Sequence, residues 1–143
     1  MHDFQATPDQ VSALRSAVLI LSRRLRNQRA GGELSPSEIA VLAKVVPEGI
    51  TPGDLARQEH VRPPSMTRTI EALERKGFVT RQQHPHDRRQ VLVTRTPAGD
   101  DYILLSRQIR TAWLGGQVGK LPEQRRAELL AAIDALTLLA NQE

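Results

Sequence analysis

The chain has 143 residues, an apolar share of 39%, no cysteine and a formal net charge of +4. This length and apolar share suit one soluble domain, and the lack of cysteine excludes disulfides, thiolate metal sites and thiol-based redox switches. No apolar run approaches the ~20 residues of a membrane span, and the first ten residues lack the pattern of a secretion signal, so we expect a cytoplasmic protein without membrane association.

Two amphipathic helices are predicted at the start of the chain. The first covers about residues 8–30, and Gly31-Gly32 is predicted to end it. Its apolar residues recur at spacings of three and four: Val11, Leu14, Val18, Leu21 and Leu25. The second helix begins at Ser35, which with Glu38 has the spacing of a capping box, and it ends near Pro47.

Two shorter helices joined by a turn are predicted next. The first begins at Thr51-Pro52-Gly53-Asp54, and the turn runs through Glu59-His60-Val61. The second helix begins after Arg62 and is closed by Gly77. Two short helices in this order, followed by a basic hairpin, are typical of proteins that bind duplex DNA.

The apolar stripe of the second short helix predicts which side faces solvent. At 100° per residue, Met66, Ile70 and Leu73 share one face, whereas Arg68 lies opposite. In its first turns such a helix contacts base edges of the major groove, where an arginine can pair with guanine. The alternative is an ordinary amphipathic helix with a solvated arginine. The candidate DNA contacts on this helix are Arg62, Pro64, Ser65, Thr67, Arg68 and Arg75.

A β-hairpin with a polar tip is predicted over residues 78–81 and 91–94. A hairpin beside a groove-bound helix can reach the neighbouring minor groove, which attracts arginine where A·T-rich sequence narrows it. Arg89 is the candidate for insertion, Arg88 for backbone contact, and Asp87 for support of the wing by holding an arginine or the turn in shape. The alternative is a solvated loop.

The positive charge is concentrated in this part of the chain. Residues 57–95 contain nine Lys/Arg and four Asp/Glu, whereas the rest contains eleven and twelve. The whole excess therefore lies on the predicted helix-turn-helix and hairpin, as contact with a polyanion requires. A mildly basic solvated surface is the alternative.

Two further helices are predicted after the hairpin. One begins at Thr96-Pro97 and is expected to end at Gly115-Gly116, and the last runs from about Pro122 to Asn141 with a weak start because Leu121 is a poor cap. The first and last helices of the chain carry more apolar surface than the central module can cover, which predicts a homodimer. The candidate dimerisation residues are Val11, Leu14, Val18, Leu129, Ile133 and Leu136.

The central segments resemble the MarR family of winged helix-turn-helix regulators. The resemblance rests on S-M-T-R-T-I-E-A-L-E-R-K-G-F-V-T-R and on D-R-R-Q-V-L-V-T-R-T-P-A-G. It implies a mainly α fold with a small β-wing and a single domain over 1–143, in which 35–97 form the winged helix-turn-helix lobe. Residues 8–30 and 100–143 would then be the dimerisation helices.

The resemblance also implies a function. The protein is expected to be a dimeric transcription regulator, with repression favoured, that binds a palindromic operator in double-stranded DNA. Arg68 matches the base-contacting arginine of the family and Arg89 its minor-groove arginine. Many members release DNA when a small molecule binds, and the candidate ligand residues here are Arg15, His60 and Trp113. Trp113 and Phe4 could instead lie in the dimer core, and the alternative is that these two aromatic residues simply pack.

Other classes of function have less support in the sequence. A protein–protein interaction module without an operator is the alternative to a DNA-binding regulator. No Ser/His/acid or paired-carboxylate arrangement, and no phosphate-binding glycine loop, indicates an enzyme. His84 and His86 lack a third nearby ligand, so neither a metal nor another cofactor is expected.

Overall fold

The computed structural model describes residues 5–32 and 34–142; Phe4 lies outside these ranges. The elements in chain order are α1 Pro8–Asn27, α2 Pro36–Lys44, α3 Pro52–Gln58, α4 Pro63–Arg75, β1 Val79–Gln83, β2 Val91–Arg95, α5 Pro97–Gly119, α6 Glu123–Ala131 and α7 Ile133–Ala140. The described residues are mainly helical and contain one antiparallel pair of strands, as the sequence predicts. Within the described ranges, no helix has both the length and the apolar character needed to cross a bilayer.

The chain folds into two compact units. Residues 29–107 form one unit, the lobe, which contains α2, α3, α4, the hairpin and the first half of α5. The chain up to Gln28 and from Gln108 forms the other, the terminal unit, which contains α1, the second half of α5, α6 and α7.

Side-chain caps determine where several helices begin. The predicted capping box of α2 is present, because Ser35 Oγ accepts the Glu38 N–H at 3.2 Å and the Glu38 carboxylate accepts the Ser35 N–H at 3.1 Å. Thr7 and Gln10 form a second capping box at α1, which was not predicted. As expected, α6 begins without a side-chain cap.

The core of the lobe forms where α4 contacts α2, α3 and β1. Met66, Ile70 and Leu73 are at most 1% exposed, which confirms the predicted inward stripe of α4. Ile50 also pairs with Val93 as an isolated bridge beside the hairpin. The other large, fully buried side chains of the lobe are Leu34, Leu42, Val45, Leu55, Val79 and Val93.

The start of α5 is held against the hairpin by a threonine and a glycine. Thr96 Oγ1 donates to the Gly77 carbonyl at 2.6 Å and accepts the Gly99 N–H at 3.1 Å. A Cβ at Gly99 would lie 2.2 Å from the carbonyl oxygen of Phe78. Only glycine permits this approach, which gives a physical reason for the T-P-A-G sequence.

Two predicted helix ends are wrong. Helix α1 ends at Asn27 rather than near Ala30, because Gln28 is extended and the Ala30 N–H donates to Ser106 Oγ at 3.3 Å. Helix α5 continues through Gly115 and Gly116 to Gly119. These glycines are not among the residues with positive φ, so they lower helix propensity without supplying the left-handed cap that ends a helix.

The last helix and the strands also differ from the prediction. The C-terminal helix is interrupted at Ala132, whose N–H is shared between the carbonyls of Glu128 and Leu129, both at 3.2 Å. Strand β1 is shifted towards the tip and ends at Gln83, paired with Val91, because the hairpin ladder continues beyond the β-branched residues.

Candidate nucleic-acid interface

Helices α3 and α4 form a helix-turn-helix. Thr51 Oγ1 accepts the Asp54 N–H at 3.1 Å, which caps α3 at the predicted residue. In the turn, the Val61 N–H donates to the Ala56 carbonyl at 3.0 Å, and His60 has a left-handed φ of 54°. Such a φ is uncommon for a residue other than glycine. The side chain of His60 is exposed.

The face of α4 opposite the core is open to solvent. Thr67 Oγ1 donates to the Pro63 carbonyl at 3.0 Å, so this hydroxyl is tied to the backbone. The Arg68 guanidinium has no ion-pair partner among the described residues. The predicted contacts are all exposed: Arg62, Pro64, Ser65, Thr67, Arg68 and Arg75.

Ion pairs divide the basic residues of segment 57–95 into two groups. Four of the nine are paired within the lobe: Arg57 with Asp54, Lys76 with Glu38 at 2.7 Å, Arg81 with Glu74 at 3.1 Å, and Arg95 with Asp100 at 2.8 Å. The other five have no ion-pair partner in the part of the chain that the structure describes: Arg62, Arg68, Arg75, Arg88 and Arg89. We call these five the free arginines.

The acidic residues of the same segment do not neutralise the free arginines. Glu59 pairs with Lys44 at 2.7 Å, and Glu71 and Glu74 both face Arg81. The Asp87 carboxylate accepts a backbone N–H rather than a guanidinium. Three of the four paired cations are neutralised by acids outside the segment, which are Asp54, Glu38 and Asp100. The free arginines are therefore the part of its positive charge that no ion pair among the described residues neutralises.

The hairpin is the wing of the lobe and has an ordered tip. Its strands pair from Val79 opposite Arg95 to Gln83 opposite Val91. Arg88 and Arg89 are exposed at the tip, whereas Asp87 is half-buried. Asp87 Oδ1 accepts the Arg89 N–H at 3.0 Å, a contact of the kind expected for a residue that holds the turn in shape.

Two ion pairs join α4 to its neighbours. Arg81 of β1 faces Glu74 and Glu71 of α4, so the wing is attached to the helix that carries Arg68. At the same C-terminal end of α4, the C-cap residue Lys76 pairs with Glu38 of α2. Burial raises the pKa of Glu38, but the Lys76 ammonium, the Ser35 N–H and the charge of Arg75 outweigh it, and the pKa is lowered below its ordinary value.

Comparisons with known proteins agree with this architecture. A family model described as MarR family matches residues 34–91. An HTH-type transcriptional regulator of Mycobacterium tuberculosis is 40% identical over 132 residues, which cover 92% of each chain. The chain belongs to the MarR family.

Solved structures share the MarR fold of this chain. One from Pseudomonas aeruginosa is 32% identical and superposes with a TM-score of 0.78 over 93% of this chain and 95% of that one. Streptococcus pneumoniae FabT, solved in complex with DNA, is 19% identical with a TM-score of 0.64 and coverages of 94% and 97%. The protein is thus a DNA-binding winged helix-turn-helix transcription regulator, and the names of its relatives denote regulators rather than enzymes.

The terminal helices of this MarR protein expose apolar side chains. No described residue of α1, α6 or α7 is buried. The six predicted dimerisation residues are all exposed, by 39–52%: Val11, Leu14, Val18, Leu129, Ile133 and Leu136. Further exposed apolar residues that were not predicted are Leu19, Ile20, Leu130, Leu138 and Leu139.

The three candidate ligand residues do not line a solvent-open cavity on the lobe, between the start of α5 and the segment after α1. Arg15 is exposed on α1, and Trp113 is half-buried with the Arg24 guanidinium 5.0 Å above its ring. The cavity has a volume of about 440 Å³. Its walls include Ala30, Gly31, Phe78, Asp101, Tyr102 and Leu105, and neither Arg15, His60 nor Trp113 is among the lining residues.

Potential metal-ligating side chains do not cluster in the described part of the chain. Within it, no group of three or more His, Cys, Asp or Glu side chains is arranged to hold a metal ion. The rings of His84 and His86 lie 6.2 Å apart at the wing tip, and the hydrogen bonds of His84 there are internal to the loop.

Proposed function

We propose that this MarR protein is a homodimeric repressor that binds a palindromic operator, with α4 in the major groove and the wing tip in the adjacent minor groove. The observation that carries the proposal is the set of five free arginines on α4 and the wing. Unpaired guanidinium groups are available to neutralise phosphates, and no internal ion pair must be broken first.

Arg68 is proposed to contact a base and so to contribute to the sequence preference of the protein. It lies near the start of α4 and opposite the buried stripe of Met66, Ile70 and Leu73, where a recognition helix contacts base edges. A bidentate pair with guanine discriminates by roughly 1–3 kcal/mol. Arg62, Ser65 and Arg75 would contact phosphates or neighbouring bases. Pro64 has no N–H and the Thr67 hydroxyl donates to the Pro63 carbonyl, so these two would make apolar contacts with the DNA.

Arg89 is proposed to enter the minor groove. It is exposed at the end of a hairpin that Arg81 holds against α4, so the tip and the recognition helix are presented together. Insertion is most favourable where A·T-rich sequence narrows the groove. Arg88 would contact the backbone, and Asp87 would maintain the turn.

A second copy of the chain is the proposed partner of the terminal helices. Their exposed leucines, isoleucines and valines are too numerous for a solvated surface and would be buried between two protomers. Helix α1 has 20 residues and so spans about 30 Å. This length suits a dimeric DNA-binding protein, in which the two recognition helices lie about 34–36 Å apart.

The proposed effector site is the cavity of the lobe. Its volume of about 440 Å³ is within the range of small-molecule sites, and most of its walls are apolar. Filling it with Ala98→Phe should abolish release of DNA by compounds selected from a screen, while affinity for the operator stays unchanged. An unchanged response to those compounds would place the effector elsewhere.

The proposed function is tested by selecting bound fragments from genomic DNA and measuring affinity for them over a range of salt concentrations. A shared palindrome and a steep fall of affinity with salt are expected, because each neutralised phosphate adds about 0.9 to the slope. Fragments without a common sequence, or binding insensitive to salt, would instead favour a protein-binding module. A promoter-reporter assay then tests repression.

A further inference from the structure

The imidazole of His84 is hydrogen-bonded into the tip of the wing. Its Nδ1 accepts the backbone N–H groups of His86 and Asp87, each at 3.1 Å. A neutral imidazole has one acceptor nitrogen and one donor nitrogen, so these contacts require the tautomer with its proton on Nε2. The ring of His86 makes no hydrogen bond to any described residue.

These two hydrogen bonds begin a series that ends at the arginines. Asp87, whose N–H is held by His84, accepts the Arg89 N–H through its carboxylate at 3.0 Å. The Asp87 carbonyl accepts the Gln90 N–H, and the Gln90 carbonyl accepts the His84 N–H, both at 3.0 Å. Gln83 Nε2 donates to the carbonyl of Arg88 at 3.3 Å. The backbone conformation at Arg88 and Arg89 thus depends on a connected set of hydrogen bonds within the tip. His84 takes part in three of them.

We infer that His84 is a positioning residue for the wing arginines and that it acts only as a neutral imidazole. The inference rests on the proposed function, because it concerns the contact of Arg89 with the minor groove. A proton on Nδ1 would convert the acceptor into a donor that faces two N–H groups, so the tip loses both bonds wherever Nδ1 is protonated.

The expected pH effect is opposite in sign to that of an ordinary surface histidine. Near phosphates, a histidine that gains a proton gains attraction, and binding strengthens in acid. Protonation of His84 instead breaks the two hydrogen bonds that its Nδ1 accepts at the wing tip. The contribution of the wing to operator affinity is then weakened. The charged and titratable groups that share the tip are His86, Asp87, Arg88 and Arg89.

The test compares wild type with His84→Asn, His84→Ala and the matched control His86→Asn. Affinity is measured for operators with A·T-rich or G·C-rich flanks at about pH 7.5 and about pH 6, within the range where histidine changes charge. The asparagine side-chain oxygen has two lone pairs, so it can accept the N–H groups of residues 86 and 87 in place of Nδ1, and it does not titrate.

We expect His84→Asn to bind like wild type at the higher pH and to lack the loss in acid. His84→Ala should lose about tenfold on A·T-rich flanks at both pH values, the effect of two missing hydrogen bonds. His86→Asn should keep the full loss in acid. The inference is overturned if His84→Ala binds these flanks like wild type, or if His84→Asn keeps the full acid loss.

Arg89→Ala, measured alongside, separates this inference from the proposed function. If Arg89→Ala has no effect on A·T-rich flanks, the minor-groove contact itself is wrong. If it weakens binding and His84→Ala does not, only the role of His84 is wrong. Long-range ¹H–¹⁵N NMR of the free protein tests the tautomer without DNA: the Nε2–H form is expected at about pH 7.5, and the Nδ1–H form would contradict the inference.

Discussion

At the level of single residues, the lobe uses arginine in two ways. Arg81 and Arg95 are held by carboxylates at 3.1 and 2.8 Å, and they attach the wing and α5 to neighbouring structure. Arg68 and Arg89 are exposed and have no ion-pair partner among the described residues. A guanidinium already bound to a carboxylate must give up that contact to bind a phosphate or a base. The free arginines are therefore the ones to test for DNA binding.

Arg68→Ala is expected to weaken operator binding by roughly 1–3 kcal/mol and to relax base preference at one position in each half-site, because a bidentate base contact is lost. Affinity for the operator and for single-base variants measures this. Arg107→Ala is the matched control, since Arg107 is also exposed but lies on α5. An equal loss on operator and unrelated DNA would show that Arg68 contacts phosphate only.

Arg89→Ala is expected to lower affinity most for operators whose flanks are A·T-rich, because a narrow minor groove has the strongest negative potential. Fluorescence anisotropy on paired operators that differ only in their flanks measures the effect. A uniform loss across flanks would assign Arg89 to the backbone instead of the minor groove.

At the level of elements, the function depends on how the wing, α4 and α5 are joined. The wing is attached to α4 through Arg81, and α5 begins where Thr96 and Gly99 meet the backbone of the Gly77-Phe78 segment. These contacts connect the two proposed DNA-contacting parts within one lobe. A substitution at the Arg81 ion pair or at the contact of Thr96 and Gly99 should therefore alter the stability of the lobe.

Gly99→Ala is expected to destabilise the protein by about 1–3 kcal/mol, because its Cβ would overlap the carbonyl oxygen of Phe78 at 2.2 Å. Gly115→Ala is the matched control within the same helix. No atom lies within 4 Å of its added Cβ, so alanine should stabilise the helix by about 1 kcal/mol. Denaturant unfolding measures whether each variant is less or more stable than wild type. A Gly99→Ala protein as stable as wild type would contradict the packing described.

Glu38→Gln is expected to lower the free energy of unfolding near neutral pH, while glutamine keeps the capping box of α2. Because the folded pKa of Glu38 is lowered, its contribution is present above the unfolded pKa and is lost as pH falls through the folded value. The difference between wild type and variant should therefore vanish in acid. Urea unfolding at several pH values measures it, and a constant difference would exclude the Lys76 ion pair as the cause.

At the level of the whole molecule, the terminal unit and the lobe differ in where their apolar side chains lie. The lobe has a closed core, whereas the described residues of α1, α6 and α7 include none that is buried. A single chain leaves these helices without a partner for their apolar faces, and exposure on this scale is typical of an interface. Dimerisation would also set the spacing of two recognition helices.

Leu136→Lys is expected to produce monomers with little affinity for the operator, because a charge would be buried at the centre of the proposed interface. Analytical ultracentrifugation and operator titration measure both effects. Val46→Lys is the control, since Val46 is similarly exposed but belongs to the lobe. A Leu136→Lys dimer of normal affinity would mean that the interface lies elsewhere.

Much of the proposed DNA-binding surface could be predicted because it depends on local spacing. The stripe of Met66, Ile70 and Leu73 follows from helical periodicity, and it requires Arg68 to face solvent. The capping box of Ser35 and Glu38 joins groups three residues apart. Such contacts are complete within one helix, so no knowledge of the neighbouring elements is needed.

Other features depend on how distant segments meet. The pairs of Arg81 with Glu74 and of Lys76 with Glu38 join different elements. The number of basic residues in segment 57–95 can therefore be read from the sequence, but which of them are paired and which are free arginines cannot. The requirement for glycine at position 99 comes from the backbone of Phe78. Periodicity and capping act over one helical turn, whereas ion pairing and close approach are determined by the packing of segments far apart in the chain.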